Sequence, residues 1–263
     1  MPFGVVVAQI PVVWSVADNE AAIASTLAAA SPGDVILTPE GSLSGYPGRG
    51  EEEALHLETI DHVQVQAALD RLARSARAAG VTLWVGVCRP LGAMLVNEAV
   101  GLRPDGSPLV YRKANLASVE RGRFVAGDEL PTFEVGGSAV AVQVCREARF
   151  SEQWLTLADR GAAVFLHPDN GVVPSGRSFE VWRALLMARA HETQRFVVSA
   201  NAAHPDQHAP SLIIAPTGIV IEELPAGATT TRRFELDVSA IGSTYLSERR
   251  RDLVAEAYAA ERQ

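Results

Sequence analysis

The sequence predicts an α/β fold with a mixed sheet, or with two sheets and helices outside. Short apolar runs alternate with helical stretches, strands outnumber helices, and the strands come both singly between helices and in hairpins. Hairpins argue against a strictly parallel, doubly wound sheet, because parallel neighbours need a long crossover. No internal repeat, low-complexity block or linker stands out, so residues 1–263 are predicted to form one domain.

The first half of the chain predicts two helices between strands. One helix covers residues 19–30, and a second covers 61–79 and stops at Gly80. The second helix is expected to place four apolar residues near one face: Val63, Leu69, Leu72 and Ala76. Apolar runs predict strands over residues 4–13, 34–40, 81–88, 94–102 and, after a turn at Asp105-Gly106, within 103–113.

The second half predicts three more helices. One covers residues 151–161, with Ser151 and Glu152 at its start, and another covers 179–194. The charged tail, residues 245–263, predicts a helix that packs on a partner. Strands are predicted over residues 138–145, 162–168, 195–201 and 231–238, with a hairpin over 211–224 around Thr217-Gly218.

Composition excludes several classes of function. Hydrophobic residues make up 48% of the chain and charged residues 21%, as in ordinary globular proteins. A net charge of -8 argues against nucleic acid or an anionic membrane as the main partner, since both favour a basic face. Two cysteines give no disulfide framework, and no apolar run has the length of a membrane span. The N-terminus lacks a basic leader, so a cytoplasmic protein is expected.

Cys145 is the first candidate for chemistry. It ends an apolar strand at a junction with a helix, where free backbone N–H groups can face an anion and lower the pKa of a thiol. Cys88 also ends an apolar run, but Arg89-Pro90 follows it and opens no helix. Local context leaves two interpretations open for Cys145, a nucleophile or a small buried hydrophobic residue.

Two further strand ends carry charged residues. Glu40 follows Pro39 at the end of a strand, where partial burial would raise the pKa of the carboxyl group and make it a base near neutral pH. Lys113 ends another strand, and Glu120 follows seven residues later. Taken singly, these residues fit a loop glutamate and a lysine that extends to solvent equally well.

Three segments together resemble the nitrilase superfamily of carbon–nitrogen hydrolases. They are "TPEGSLSGYP", "YRKANLASVERGRFVAGDE" and "VQVCREARFSEQWLTLADRGA", in this order along the chain. The resemblance implies a four-layer α-β-β-α sandwich of two mixed sheets, in a homodimer or larger homo-oligomer. It places the family's base at Glu40, its lysine at Lys113, its nucleophile at Cys145 and its second glutamate at Glu120. It implies no metal and no organic cofactor.

The chain departs from the family pattern near the pocket. Arg146 follows the cysteine where Tyr or Trp is common, and the segment "HPDNG" at residues 167–171 is more polar than usual. Arg146 is a candidate for binding a substrate carboxylate, with pairing to Glu147 and an outward-pointing side chain as equal alternatives. The resemblance also places Tyr46 and Asn170 around the pocket.

The expected activity is hydrolysis of a small amide or N-carbamoyl compound through a cysteine thioester. A nitrilase or an acyl transferase on the same residues, and a non-catalytic protein that binds small molecules, remain alternatives. A metal site at "HPDQH", residues 204–208, is disfavoured because Pro205 predicts a loop and no third ligand lies nearby.

Overall fold

The computed structural model describes residues 2–48, 51–171 and 176–252 of the protein. The helices in these ranges are α1 Val16–Ser25, α2 Glu51–Ala54, α3 His62–Ala79, α4 Ser151–Asp159, α5 Gly176–Thr193 and α6 Thr244–Glu248. The strands are β1 Phe3–Gln9, β2 Val35–Leu37, β3 Thr82–Leu91, β4 Met94–Leu102, β5 Pro108–Arg112, β6 Thr132–Val135, β7 Ser138–Val142, β8 Val164–Pro168, β9 Phe196–Ala200, β10 Leu212–Ile214, β11 Val220–Glu223 and β12 Thr230–Leu236. Short 3₁₀ helices cover Thr26–Ala29, Leu55–Thr59, Ser118–Glu120, Cys145–Arg149 and Val238–Ala240.

The strands form two mixed sheets of six strands each. The first has the order β12-β1-β2-β3-β4-β5, and the second has the order β11-β10-β9-β8-β7-β6. Three adjacent strands of each sheet are parallel, namely β1–β2–β3 and β7–β8–β9, and antiparallel strands flank them on both sides. This arrangement confirms the mixed sheets that the alternation of hairpins and helices predicts.

Three apolar layers hold the sheets and helices together. Val5 and Val7 face the cluster between the two sheets, whereas Val6 faces helices α1 and α3 on the outside of the first sheet. On the second sheet, Phe165 packs outward against α4 and α5 in the same manner. Because side chains alternate across a strand, a strand with both faces covered must be apolar throughout. Each such Val or Leu contributes about 1.5–3 kcal/mol on burial, and the four-layer architecture follows from it.

Helix α3 confirms most, but not all, of its predicted apolar face. The Asp61 side chain accepts a hydrogen bond from the backbone N–H of Gln64 at the start, and Gly80 ends the helix at φ 69°. Leu69, Leu72 and Ala76 are buried as predicted, but the prediction for Val63 is wrong, since this residue is 82% exposed. Val63 precedes Leu69 by six residues, which is one full turn plus about 240° around the helix axis, so Val63 points away from the buried face. Val65 and Ala68 complete that face instead.

Several predicted boundaries are wrong. The strand predicted over residues 4–13 ends at Gln9, and the one predicted over 138–145 ends at Val142. Strand β6 was not predicted from the sequence, because its four residues are short and only partly buried at a sheet edge. Of the predicted C-terminal helix, α6 covers Thr244–Glu248, and residues 253–263 lie outside the described residues. In the described ranges, no helix combines the length and apolarity that a bilayer span requires.

Candidate active site

The two sheets bring Glu40, Lys113 and Cys145 together at one end of the sandwich. Glu40 follows β2, Lys113 follows β5 directly, and Cys145 lies shortly after β7. Lys113 Nζ is 2.7 Å from Glu40 Oε1. A Glu40 carboxylate oxygen, the Cys145 Sγ atom and a carboxylate oxygen of Asp169, which follows β8, all lie within 4.8 Å of one another. Residues far apart in the sequence therefore surround one small volume.

The backbone at Cys145 is held in an unusual conformation. Its φ is 47°, in the left-handed region that non-glycine residues seldom occupy, and it begins the 3₁₀ helix Cys145–Arg149. Such a conformation costs about 1–3 kcal/mol and persists only where neighbours enforce it. A ring nitrogen of buried His167 lies 3.1 Å from the Cys145 carbonyl oxygen and contributes to that enforcement. At the start of the helix, the N–H groups of Cys145 and Arg146 have no intrahelical acceptor, so they can face an anion.

Lys113 sits in a closed network of charges. Its ammonium contacts Glu40 Oε1 at 2.7 Å and Glu120 Oε2 at 2.9 Å, and all three side chains are fully buried. Asn97 on β4 donates through Nδ2 to Glu40 Oε1 at 2.7 Å and to Glu120 Oε1 at 2.6 Å. Removing one partner from such a network leaves a buried charge uncompensated, which typically costs about 3–5 kcal/mol.

Burial sets the protonation of the three central groups. It raises the pKa of Glu40 to about 7, with Lys113 opposing this shift and Glu120 and Asp169 adding to it. Burial alone would lower the pKa of Lys113, but the charge of Glu40, together with Tyr46 and Glu120, holds that pKa well above its usual range. Burial, then the charges of Asp169 and Glu40, raises the pKa of Cys145 as well. The lowered thiol pKa expected from the sequence is therefore wrong, and the thiol needs a base.

A buried carboxyl group lies close to the thiol. Glu40 Oε2 is buried and has no hydrogen-bond partner among the described residues, while Oε1 is engaged by Lys113 and Asn97. Cys145 is partly exposed, whereas Cys88 is completely buried, and burial raises the pKa of Cys88 far above its usual range. The accessible thiol is thus the one beside a free carboxylate oxygen.

Glu147 joins the two loops that carry Lys113 and Cys145. Its Oε1 accepts from the backbone N–H groups of Ala114 and Asn115 at 2.8 and 3.0 Å, and its Oε2 accepts from Val144 N–H at 2.7 Å. The Tyr111 hydroxyl donates to the same carboxylate at 2.8 Å. This carboxylate therefore fixes the residue after Lys113 and the residue before Cys145 relative to each other.

Tyr46 and Asn170 lie beside the Lys113–Glu40 pair. Lys113 Nζ lies 3.4 Å from the Tyr46 hydroxyl, and Asn170 Nδ2 donates to the Glu40 carbonyl at 3.1 Å. Both residues line a cavity of about 200 Å³, together with Val12, Val13, Trp14, Gly48, Glu53, Ala202, Ala203 and His204. Arg146 is not among these lining residues; it is half-buried, and its Nε has no hydrogen-bond partner in the described residues.

Two functional-site residues were missed from the sequence. Asn97 is the polar residue inside the apolar run "MLVNEAVGL", and a buried polar residue in such a run is a signal that it meets a partner. Asp169 belongs to the segment whose polarity departs from the family pattern. Both could have been found by asking what their polar groups would contact once buried.

Only one group of potential metal ligands occurs among the described residues, and it coincides with this site. It consists of Glu40, Cys145 and Asp169. His204 and His208 are not part of any such group, and Pro205 and Asp206 between them form a turn, as the sequence predicts.

Comparison with known proteins agrees with this architecture. The carbon–nitrogen hydrolase family model matches residues 5–245. An (R)-stereoselective amidase from a Pseudomonas species is 30% identical over 234 residues, which cover 85% of this chain and 82% of that protein. The 2-oxoglutaramate amidase of Bacillus subtilis is 29% identical over 198 residues, covering 72% of this chain and 73% of the relative.

Solved structures show the same fold. An amidase of the nitrilase superfamily from Nesterenkonia sp. AN1 has a TM-score of 0.81 and 23% identity, covering 97% of this chain and 96% of that one. A double mutant of that amidase in complex with acrylamide has a TM-score of 0.82, also at 23% identity, and covers 97% of each chain. The chain belongs to the carbon–nitrogen hydrolase family.

The Glu147→Gln variant tests whether the hydrogen bonds to Glu147 hold the two loops in position. The amide NH₂ would face backbone N–H groups that now donate to a carboxylate, and each unsatisfied donor costs about 1–3 kcal/mol. We expect kcat to fall by about tenfold or more while KM changes less, because the loops shift relative to each other. Steady-state kinetics measure this, and Glu152→Gln on exposed α4 surface is the matched control. Equal kcat values for the two variants would contradict the role of Glu147.

Proposed function

We propose that Cys145, Glu40 and Lys113 carry out the activity of this carbon–nitrogen hydrolase, the cleavage of a C–N bond in a small amide. One observation carries the proposal: an accessible thiol, a buried carboxyl group with an unpartnered oxygen and a fully buried ammonium surround one small volume. Family membership supplies the reaction class, and these three groups supply the functions that it needs.

The first step is attack by sulfur. Glu40 takes the thiol proton, and the Cys145 thiolate forms a bond to the carbonyl carbon of the amide. The carbonyl π electrons move to oxygen, whose negative charge is stabilised by Lys113 and by the backbone N–H of Arg146. Removing one such donor typically slows the reaction by a factor on the order of one hundred or more.

The second step breaks the C–N bond and releases the acyl group. Protonated Glu40 donates its proton to the leaving nitrogen, and the electrons on oxygen re-form the carbonyl, which leaves a thioester on Cys145. Glu40 then takes a proton from water, which attacks the thioester carbon, and that proton returns to sulfur as the carboxylic acid departs. A carboxyl group with a pKa of about 7 suits both directions of proton transfer near neutral pH.

Glu120 and Asn97 support the reacting groups. Glu120 shares the Lys113 ammonium with Glu40, so the lysine keeps a fixed position while Glu40 changes its charge. Asn97 donates to both carboxylates and prevents them from separating. Tyr46, whose ring faces the same ammonium, and Asn170, which donates to the Glu40 carbonyl, line a neighbouring cavity that we propose receives part of the substrate.

An amide is the favoured substrate, and an N-carbamoyl compound is the next. Two relatives that match over most of their length, an (R)-stereoselective amidase and a 2-oxoglutaramate amidase, are amidases by name. The same thioester could pass to an amine acceptor in an acyl transferase, or form from a nitrile in a nitrilase. Ammonia and acid yields from amides, N-carbamoyl compounds and nitriles, with and without an amine acceptor, separate these reactions.

We expect a homodimer or larger homo-oligomer in the cytoplasm. The support for assembly is an apolar surface cavity at α4, α5 and α6, lined by Leu155, His191, Glu192, Tyr245 and Arg249. The support for the compartment is a nucleophile that must stay a reduced thiol. Light scattering should give a mass about twice 28.0 kDa or more, and fractionation should place the protein with cytosolic markers. A purely monomeric species would contradict the assembly.

Cys145→Ala should abolish amide hydrolysis, because the thioester cannot form. Its thermal stability should stay near that of the wild type, since the side chain is partly exposed and small. Cys88→Ala is the matched control and should stay active, because that thiol is sealed in the core. Ammonia release and thermal melting measure both effects. Activity of the Cys145→Ala variant at the wild-type level would refute the nucleophile.

The pH profile tests Glu40 as the base. Its pKa is raised from 4.5 to about 7, so the carboxyl group is largely protonated at pH 5 and cannot accept the thiol proton. With a neutral amide as substrate, kcat/KM should rise with pH and reach half its maximum at about pH 7. Glu40→Gln should remove this activity. A rate that is constant between about pH 5 and pH 8 would contradict the assignment.

A further inference from the structure

Asp169 is a carboxyl group beside the nucleophile that the mechanism above does not use. It is 2% exposed and follows strand β8, and one of its carboxylate oxygens lies within 4.8 Å of Cys145 Sγ and of a Glu40 oxygen. Its Oδ1 accepts from the backbone N–H groups of Asn170 and Gly171 at 2.9 and 3.2 Å, which fixes the side chain toward the thiol. The group is therefore ordered and close to the reacting atoms.

The charges around the thiol do not balance. Lys113 contacts Glu40 and Glu120 at 2.7 and 2.9 Å, and within the described residues no lysine, arginine or histidine forms an ion pair with Asp169. His167 does not compensate, because burial lowers its pKa and keeps it neutral. A positively charged group of a ligand can therefore approach the Asp169 carboxyl group without displacing an ion-pair partner.

A second observation points to the same kind of ligand. Glu40 Oε2, the atom that takes the thiol proton in the proposed mechanism, is fully buried, has no donor among the described residues and belongs to the same cluster as Asp169, so a second acceptor faces the same small volume. An ammonium group offers donors only, which is the complement of a site rich in acceptors.

The geometry of the reaction places an ammonium group on the α carbon of the substrate near Asp169. An amine on the carbon next to the scissile carbonyl is two bonds from the carbon that Cys145 attacks. It therefore lies close to the sulfur in the tetrahedral intermediate, within reach of a carboxylate that itself lies beside the sulfur. The carbonyl oxygen can point at the same time to Lys113, on the side of Glu40 and Tyr46.

We propose that Asp169 binds a protonated amine on the α carbon of the substrate, so that the enzyme prefers α-amino amides over neutral or acidic amides. The inference rests on the proposed function and names its substrate class. It is the opposite of the expectation that Arg146 selects a substrate carboxylate, and an acidic amide distinguishes the two. Asp169 is then a residue that determines specificity by a charge-assisted hydrogen bond.

The test compares two amides of nearly equal shape. Alaninamide, as each enantiomer, carries an ammonium where isobutyramide carries a methyl group, and succinamate supplies an acidic amide. Ammonia release is measured at about pH 7, below the pKa of the α-amine. We expect the wild-type kcat/KM for the better alaninamide enantiomer to exceed that for isobutyramide by about tenfold or more. In Asp169→Asn, this ratio should fall by about tenfold or more.

The variant keeps the local structure. An asparagine Oδ1 still accepts from Asn170 and Gly171, and thermal melting verifies that the fold is retained. Asp128→Asn, at an exposed carboxylate in a different cavity, is the matched control and should keep the wild-type ratio.

Three outcomes overturn the inference. One is an unchanged ratio of kcat/KM for alaninamide to kcat/KM for isobutyramide in Asp169→Asn. Another is an equal loss of kcat/KM on both amides, which would indicate that Asp169 acts on the Cys145 thiol and not on the substrate amine. The third is a wild-type preference for isobutyramide or succinamate. Each leaves the proposed function intact, because the amides are still hydrolysed through Cys145. If the wild-type enzyme releases no more ammonia from any amide than Cys145→Ala does, the proposed function itself fails.

Discussion

The buried ammonium of Lys113 is the interaction on which the site depends. A lysine without access to water is stable only if carboxylates surround it, and Glu40 and Glu120 do so at 2.7 and 2.9 Å. These groups, with Asn97, all belong to the first sheet or to loops that follow it, whereas Cys145 and Asp169 follow strands of the second. The site therefore exists only where the two sheets stack, and the apolar layer between them is a condition for the chemistry.

The same network determines which of Lys113, Glu40 and Cys145 carries a proton. Attraction between the Lys113 ammonium and the neighbouring glutamates keeps Lys113 protonated. Burial raises the pKa of Glu40 to about 7, so this carboxyl group is about half protonated near neutral pH. The pKa of the Cys145 thiol is raised by burial and by the charges of Asp169 and Glu40. In the proposed mechanism, Glu40 therefore activates the sulfur when substrate is present, and the absence of a permanently lowered thiol pKa limits side reactions of a free thiolate.

The sequence predicted the fold class because apolar runs and helical periodicity are local signals that burial on both faces enforces. Glu40, Lys113 and Cys145 could be connected only through their resemblance to a family, since each alone fitted an ordinary loop or strand end. The errors have physical causes. Val63 was assigned to a helix face that its angle excludes, and β6 is too short and exposed to leave a pattern. Asn97 and Asp169 act through contacts between distant segments, so the local sequence indicates that a polar group is buried but not which group it contacts.

The left-handed backbone at Cys145 restricts which nucleophiles this scaffold can evolve. At a φ of 47°, a branch at the β carbon crowds the neighbouring carbonyl, so threonine is excluded even though its hydroxyl serves other hydrolases. Serine fits the bend sterically, but it would need a stronger base than one tuned for sulfur. The backbone conformation of this turn thus limits the residue at position 145 to side chains that are unbranched at the β carbon. Among these, the neighbouring base favours the thiol.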